Sequence, residues 1–480
     1  MAMLGMYATR TWGIHHDAPL MFFVAQRIAE GGSPYRDVLD MNLPGAYLLS
    51  WAVLSWFGYS DLAWRLVDLG ALASIAFCVF WIVRPAGRAL ALTAAASTIF
   101  VHLEGGPHAV GQRDFLMILP VLLALVVLLA VNAVSHPAQR CTMLLGAGFL
   151  LMCAAFFKPT AILLSPLAAA WLLFRPGLSL ASIKDTAAVL GGGALALSLL
   201  LGWLLSLGAV VDFVSLQIDF ILPSYGNIRM PRSSCLGSVL VLPALVGIPF
   251  LVMSRHRVRY AIVLVLVVFG LLHFHVQGKY WAYHAAPLQV FSIAAAFLGL
   301  GMLIEQLSSR KALVAGLAVL TVQAGTLMLV LENFGVRAWL HGKSNVHPED
   351  RLTKSLEVDL RRMKIASSMV QPLDTTHGAV NAMLRLGLSM PTRFLYDFPF
   401  YMTGRTRYLD SLRVEFLAAM EKASYPAIIR TNQQWPYESG YDRLEAWPAF
   451  REMIERHYSI AIERAFPDGK GYRIYVARRT

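Results

Sequence analysis

Apolar residues along this chain come in long runs, broken by short polar stretches, and not in the two-residue alternation of a half-buried sheet. Ten runs are candidate membrane spans: 61–83, 89–103, 114–133, 142–157, 161–174, 187–210, 236–253, 260–275, 285–307 and 312–333. The shorter ones need tilt or extension into the flanking loops to complete a crossing. Residues 14–57 behave differently. An amphipathic segment opens at Asp17, with Pro19 in its first turn, carries Gln26, Arg27 and Glu30, and stops at Gly31-Gly32. A polar turn follows, then a short apolar segment from Pro44 to Gly58. Neither piece is long and uncharged enough to cross, so both are expected to lie on the membrane surface, holding Asp17 at the lipid–water boundary.

From Phe334 the pattern changes: charge becomes dense and apolar runs shorten. Helical periodicity appears near 351–370, 407–423 and 438–457, and strand-like runs at Arg393–Tyr401, Ala427–Thr431 and Tyr472–Ala477. The expected organisation is an external loop with two interfacial helices (1–60), a transmembrane helical domain (61–334) and a soluble extracytoplasmic α/β domain (335–480). No internal repeat or low-complexity segment interrupts it.

Composition makes the membrane reading firm. The chain is 57% hydrophobic and only 15% charged, far from the balance of a soluble domain. Its net charge of +12 invites a nucleic-acid reading, but loop charge accounts for it better. The short loops 84–88, 135–140, 175–184, 254–259 and 308–311 carry basic and no acidic residues. They alternate with loops at 102–113, 158–160, 211–235 and 276–284, which hold the unusual acids, histidines and aromatics. The first set is expected in the cytoplasm and the second outside, with residues 1–60 and the tail from 335. An external start without a leading span leaves two expectations, a further helix ahead of Met1, which is favoured, or an N-terminus translocated as it stands. Cys78, Cys141, Cys153 and Cys235 lie in or beside apolar runs and form no CxxC, so neither a disulfide framework nor a zinc site is indicated.

Chemistry-bearing residues gather on the external side. Asp17 suits a helix N-cap, and capping is the commonest job for such an Asp. His15 and His16 directly before it favour a functional reading. Glu104, His108, Arg113 and Asp114 bound a Gly-rich loop entering a span; Arg113 fits an ordinary helix anchor as well as a site, whereas a carboxylate at Asp114 is expensive unless paired or used. Lys158 is the only charge between Arg140 and Arg175. Snorkelling would explain it, and so would an ammonium aimed at a headgroup phosphate. Lys279 and His284 form a compact cationic pair among His273, His275, Tyr280, Trp281 and Tyr283, rings that otherwise read as an interfacial belt. Gln217, Asp219, Tyr225 and Arg229 are assigned to pocket lining.

The order D-x-P-L, A-x-x-I-x-x-G-G, P-Y-R-D, N-x-P-G-x-Y, F-G-x-S and R-L within residues 14–66 resembles the first external loop of GT-C fold glycosyltransferases. It most resembles the bacterial branch related to protein O-mannosyltransferases, lipid A aminoarabinose transferases and lipopolysaccharide-core galacturonosyltransferases. The likeness continues through Arg113-Asp114, Lys158-Pro159 and Gln277-Gly-Lys279 with Tyr283-His284, covering 14 to about 334 and, more weakly, the C-terminal domain. What the resemblance implies is an all-α polytopic domain of about 10–11 transmembrane helices plus interfacial helices, with a C-terminal soluble α/β domain, in the bacterial inner membrane. It implies an inverting transfer from a polyprenyl-phosphate sugar to a hydroxyl on a glycolipid, glycan or protein, with membrane lipids as surroundings and no nucleic acid. The family's first-loop acid falls on Asp17, its second on Asp114 with Glu104 the rival, and its phosphate lysine on Lys158. Arg113, Lys279 and His284 are expected around the phosphate, and His16, Gln277, Tyr283 and Asp219 around the substrate pocket. The family is mixed in metal use, so a divalent metal stays open, although no ligand cluster stands out.

The chemistry fits without the name. Displacing phosphate from an anomeric carbon needs one base for the attacking hydroxyl and positive charge on the departing oxygens, not the paired carboxylates of most glycoside hydrolases. A lipid-linked sugar flippase is the competing reading, but transporters tend to show repeats and mid-membrane polar groups. A receptor or scaffold would leave Lys158 and Asp114 without a purpose.

Overall fold

The computed structural model describes residues 7, 9, 12–174, 179–307, 316, 321, 348–363, 369–375, 378–402, 407–432, 440–441 and 447–478. Two helices open the chain, each with proline in its first turn, where a fixed φ and a missing N–H cost nothing. They are α1 (Ala18–Ala29) and α2 (Pro44–Phe57). Ser60 then accepts a hydrogen bond from the Ala63 N–H and caps α3 (Asp61–Ala86). After α4 (Arg88–Glu104) come α5 (Arg113–Ala133), α6 (Pro137–Ala155), α7 (Pro159–Phe174), α8 (Leu180–Ser206), α9 (Arg257–Gln277) and α10 (Ala282–Ile304).

Six of these helices, α3, α5, α6, α8, α9 and α10, are long and apolar enough to cross a membrane. That differs from the ten expected. Helix α4 has 17 residues, about 25 Å at the helical rise, short of a hydrocarbon core about 30 Å thick. The runs at 161–174 and 236–253 become shorter segments, Pro159–Phe174 and Gly237–Phe250, the latter a 3-10 stretch interrupted by Pro243 and Pro249. The run 312–333 falls almost wholly outside the described residues. Helix α8 starts seven residues before the expected 187, because Ser179 and Ser182 close a capping box there.

Helix α10 is the core of the bundle, buried without a break from Pro287 to Met302. Around it, Leu195, Leu199, Val265, Val268 and Leu272 stay exposed, as lipid-facing residues would. Helices α6 and α8 touch backbone to backbone. A Cβ on Gly148 would lie 1.8 Å from the Val189 carbonyl oxygen, and one on Gly192 would lie 1.9 Å from that of Leu145. Small residues at such crossings replace the hydrophobic drive that lipid cannot supply.

The two sets of loops lie at opposite ends. At the basic end Arg259 donates to the Trp81 and Ile82 carbonyls, Arg255 pairs with Glu305, and Arg140 clamps Asp185. The other end carries the loops of the candidate site.

The C-terminal unit holds a four-stranded sheet ordered β1 (Val370–Leu373), β2 (Ala427–Thr431), β4 (Gly471–Ala477), β3 (Tyr458–Ala465). β1 and β2 are parallel; β4 runs antiparallel to both neighbours. Helices α11 (Pro348–Arg362), α12 (Gly378–Leu386), α13 (Arg407–Lys422) and α14 (Pro448–His457) pack with it. The run 393–401 is not a strand. Residues Phe394 to Phe400 are all buried, so no face alternates, and the run ends in a 3-10 turn, Phe398–Tyr401.

This unit is not separate from the first loop. Leu20, Val24, Tyr35, Leu39 and Tyr47 share one hydrophobic core with Val380, Met383, Phe394 and Ile428. Polar links reinforce it: His15 meets Asp350 at 3.4 Å, Asn381 donates to the Ile14 carbonyl, and Arg385 pairs with Asp61 at 2.8 Å. Helix α1 is consequently not a surface helix with one face in lipid. Ala18 to Ala25 are all buried, with Phe22 in the bundle core and Leu20, Met21, Phe23 and Val24 in the C-terminal one. Helix α2 keeps Trp51, Trp56 and Phe57 exposed.

Candidate active site

At the end of the bundle away from the basic loops, a crevice of about 480 Å³ opens between the first loop, the bundle and the C-terminal unit. Its wall includes Asp17, Arg113, Lys158, Lys279 and His284 from the first two, and Tyr396 and Lys470 from the third. Asp17 sits at the N-terminus of α1 but makes no side-chain cap. Its Oδ2 instead accepts from the Arg113 guanidinium at 2.5 Å, and its Oδ1 lies 3.1 Å from His16 Nδ1. His16 reaches that carboxylate from a left-handed backbone, φ 55°, a conformation a non-glycine residue holds only when its surroundings enforce it.

The next residue after Arg113 faces a second ion pair. Asp114 is fully buried, with Lys158 Nζ 2.9 Å from its Oδ2. His273 Nε2 and Gln277 Nε2 approach its Oδ1 at 2.8 and 2.9 Å. Thr160 Oγ1 lies 2.6 Å from His273 Nδ1, and Lys158 also donates to Gln277 Oε1 at 2.9 Å. The adjacent residues Arg113 and Asp114 thus enter two separate ion pairs, one with Asp17 and one with Lys158. Neither a snorkelling lysine nor one open to the headgroup layer is what the structure holds at Lys158. It is nearly buried, and that burial pulls its ammonium below the usual lysine range while Asp114 opposes the shift. Its seat depends on Gly45, whose N–H donates to the Phe156 carbonyl at 3.0 Å and whose missing Cβ would lie 2.7 Å from that oxygen.

Lys279 is held differently. It donates to the Tyr225 and Gln277 carbonyls at 3.1 and 3.4 Å, and its Nζ sits 4.1 Å over the Tyr225 ring. Burial, aided by Arg229 and Lys158, lowers it to about 8. Opposite, Asp40 is a buried carboxylate gripped by neutral donors: Asn42 Nδ2 at 2.8 Å, Tyr47 at 2.7 Å and Tyr396 at 3.0 Å. Burial, with Asp40 adding to it, raises both phenols well above their ordinary range, so they remain donors at neutral pH.

Two expected residues are not brought here. Glu104 is fully buried at the end of α4 and forms no part of the crevice wall. Asp219 is exposed on a π-turn, Gln217–Ile221; only Gln217 and Ile221 of that turn reach the crevice. His16 and Trp281 line the crevice and also a neighbouring cavity of about 380 Å³, where Tyr283 sits. Among the described residues no group of three His, Cys, Asp or Glu side chains could hold a metal ion. Asp17 and Asp114 already face Arg113 and Lys158, so these residues do not fit a bound divalent metal.

Sequence reading missed Asp40, Lys470 and a buried network behind the site. Asp68 accepts from Arg65 and from the Gly111 N–H, and His102 Nε2 lies 3.1 Å from its carboxylate. The signal was available: opposite charges one helical turn apart within an apolar run have to pair. Pinning Gly111 fixes the loop that delivers Arg113 and Asp114.

No family model matches this chain, and no curated protein does. Among solved structures, the chain overlays on an Archaeoglobus fulgidus oligosaccharyltransferase. The copy in complex with an inhibitory peptide and a dolichol-phosphate is 10% identical, with all of this chain and 74% of that one covered and a TM-score of 0.49. The copy tethered to an acceptor peptide is 11% identical over the same shares, with a TM-score of 0.48. A third, with Zn and sulfate, is 12% identical over 98% of this chain and 72% of that one, with a TM-score of 0.47. At that degree of likeness, the functional reading rests on the side chains described above.

Proposed function

We propose that this protein is a membrane-embedded inverting glycosyltransferase, moving a sugar from a polyprenyl-phosphate carrier to a hydroxyl acceptor. The observation that carries the reading is the meeting of Asp17 with Arg113, Lys158 and Lys279 in one crevice at one end of the apolar helices. Apolar walls beside the crevice suit a prenyl chain, and the cations suit its phosphate. Of the cations, Lys279 has no carboxylate in its hydrogen-bond set among the described residues and can give its charge to a phosphate outright.

Asp17 acts with His16. With Nδ1–H directed at the carboxylate, the far imidazole nitrogen is left to take a proton. The acceptor oxygen attacks the anomeric carbon and its proton passes to the His16–Asp17 pair. The bond from that carbon to the phosphate oxygen breaks with its electron pair, and polyprenyl phosphate departs beside Lys279 and Lys158. One displacement gives inversion. Asp114 does not touch the reacting atoms in this scheme; it holds Lys158, Gln277 and His273 in place. The cytoplasmic-membrane location and an outward-facing crevice belong to the same proposal, supported by basic loops at the opposite end.

The test is kinetic. In detergent, Asp17→Asn should lower transfer from polyprenyl-phosphate sugars by roughly 10²–10⁴-fold, the usual worth of a positioned base, with folding intact. Lys158→Ala should raise KM for the donor more than for the acceptor. Undiminished turnover in Asp17→Asn would remove this pair from the base role.

A further inference from the structure

Behind the partition formed by His16, Lys279 and Trp281 lies the second cavity, of about 380 Å³, between α4, the start of α5 and α10. Its chemistry differs from that of the crevice. Among the described residues no Asp or Glu lines it, and its one lysine or arginine is Lys279 on the shared wall. What it offers is amides and rings. Gln112 and Gln289 are almost fully buried and face it. Gln112 Oε1 and the Tyr283 hydroxyl are buried with no hydrogen-bond partner among the described residues. Leaving such groups unpaired is costly, so they are set for a guest that pairs them. Trp281, Tyr283 and His108 pack around the His16 ring, at 6.4, 5.3 and 5.5 Å between centroids.

We propose that this cavity binds a neutral sugar ring, the terminal residue of the acceptor. The inference rests on the transferase reading above and extends it. Side-chain amides and a phenol answer hydroxyl groups, which both give and take hydrogen bonds. Aromatic faces suit the apolar face of a pyranose. An amino sugar would bring a cation to a cavity with no carboxylate on its wall, and would be left unpaired. The lipid phosphate belongs on the other side of the partition, where Arg113 and Lys158 lie. His16, lining both chambers, then stands between the acceptor hydroxyl and Asp17.

Ligand-observed NMR on the detergent-solubilised full chain tests this. The probes are methyl glucoside, methyl galactoside, methyl mannoside, glucosamine and geranyl phosphate. At least one methyl glycoside should bind, glucosamine should not, and geranyl phosphate should bind without displacing the glycoside. Gln289→Leu and Gln112→Leu should each weaken glycoside binding about tenfold or more while geranyl phosphate binding stays, which also reports that the variant is folded. Tyr283→Phe, at a residue that lines this cavity and not the crevice, is the substitute should either variant lose both ligands. If geranyl phosphate binds but no glycoside does, or glucosamine binds as well, or the variants bind like the parent, the sugar cavity is wrong. Displacement of the glycoside by geranyl phosphate would overturn it too. Glycoside binding without geranyl phosphate binding would support the cavity and sink the lipid-phosphate reading.

Discussion

Asp114 and Lys158 show how the site combines cost and function at the scale of single residues. A buried ion pair is maintained only while both partners are present; removing one strands the other charge, at about 3–5 kcal/mol. Asp114→Asn should therefore lower the thermal unfolding midpoint markedly and leave Lys158 poorly held, whereas Glu104→Gln, away from the crevice, should leave transfer unchanged. An Asp114→Asn protein as stable as its parent would mean that the pair does not hold the site. Lys279 adds a pH signature. Lowered to about 8 from an ordinary value of 10.5, it is charged below pH 8 and neutral above. Binding of a lipid phosphate should weaken as pH rises through 8, as read by titration with geranyl phosphate. The sign for stability is opposite. Between about 8 and 10.5 the unfolded chain binds the proton and the folded one does not, so this lysine's contribution makes stability rise with pH there. Phosphate binding that held steady to pH 10 would rule out Lys279 as the contact.

Among the elements, α2 and the loop after α6 depend on one another through Gly45. A methyl group there would press on the Phe156 carbonyl, two residues before Lys158. Gly45→Ala should cost about 1–3 kcal/mol, as overpacking does, and should impair transfer through a displaced Lys158. Unaltered unfolding and turnover would show that the contact can relax. The sequence made much of this level legible. Prolines at the starts of α1 and α2, the break at Gly31-Gly32 and the long apolar helices all follow from local rules. The failures are tertiary. Run 393–401 has strand composition, but every side chain from Phe394 to Phe400 is taken up by packing. Helix α1 has an amphipathic pattern suited to lipid, yet its other faces are covered by a unit more than 300 residues away, as the Asn381 bond to Ile14 shows.

For the whole molecule, the C-terminal unit is part of the wall of the crevice and not an appended module. Tyr396 bonds Asp40 across 356 residues of sequence, and Lys470 lines the crevice. No local pattern announces such a contact, which is why Asp40 and Lys470 went unread while Asp17, Arg113, Asp114 and Lys158, each conspicuous against apolar surroundings, were found. A tag fused after Thr480 should be reachable from outside intact spheroplasts; a cytoplasmic signal would reverse the orientation.

Transfer itself is the most direct test of the central claim. Purified full-length protein in detergent, with no bilayer or gradient, would be given a panel of radiolabelled polyprenyl-phosphate sugars and an envelope glycolipid extract. Label is expected to move onto an acceptor hydroxyl with inverted anomeric configuration, releasing free polyprenyl phosphate in equal amount. An absence of transfer across the panel, from protein that carries the same lipids between leaflets of a vesicle, would contradict it.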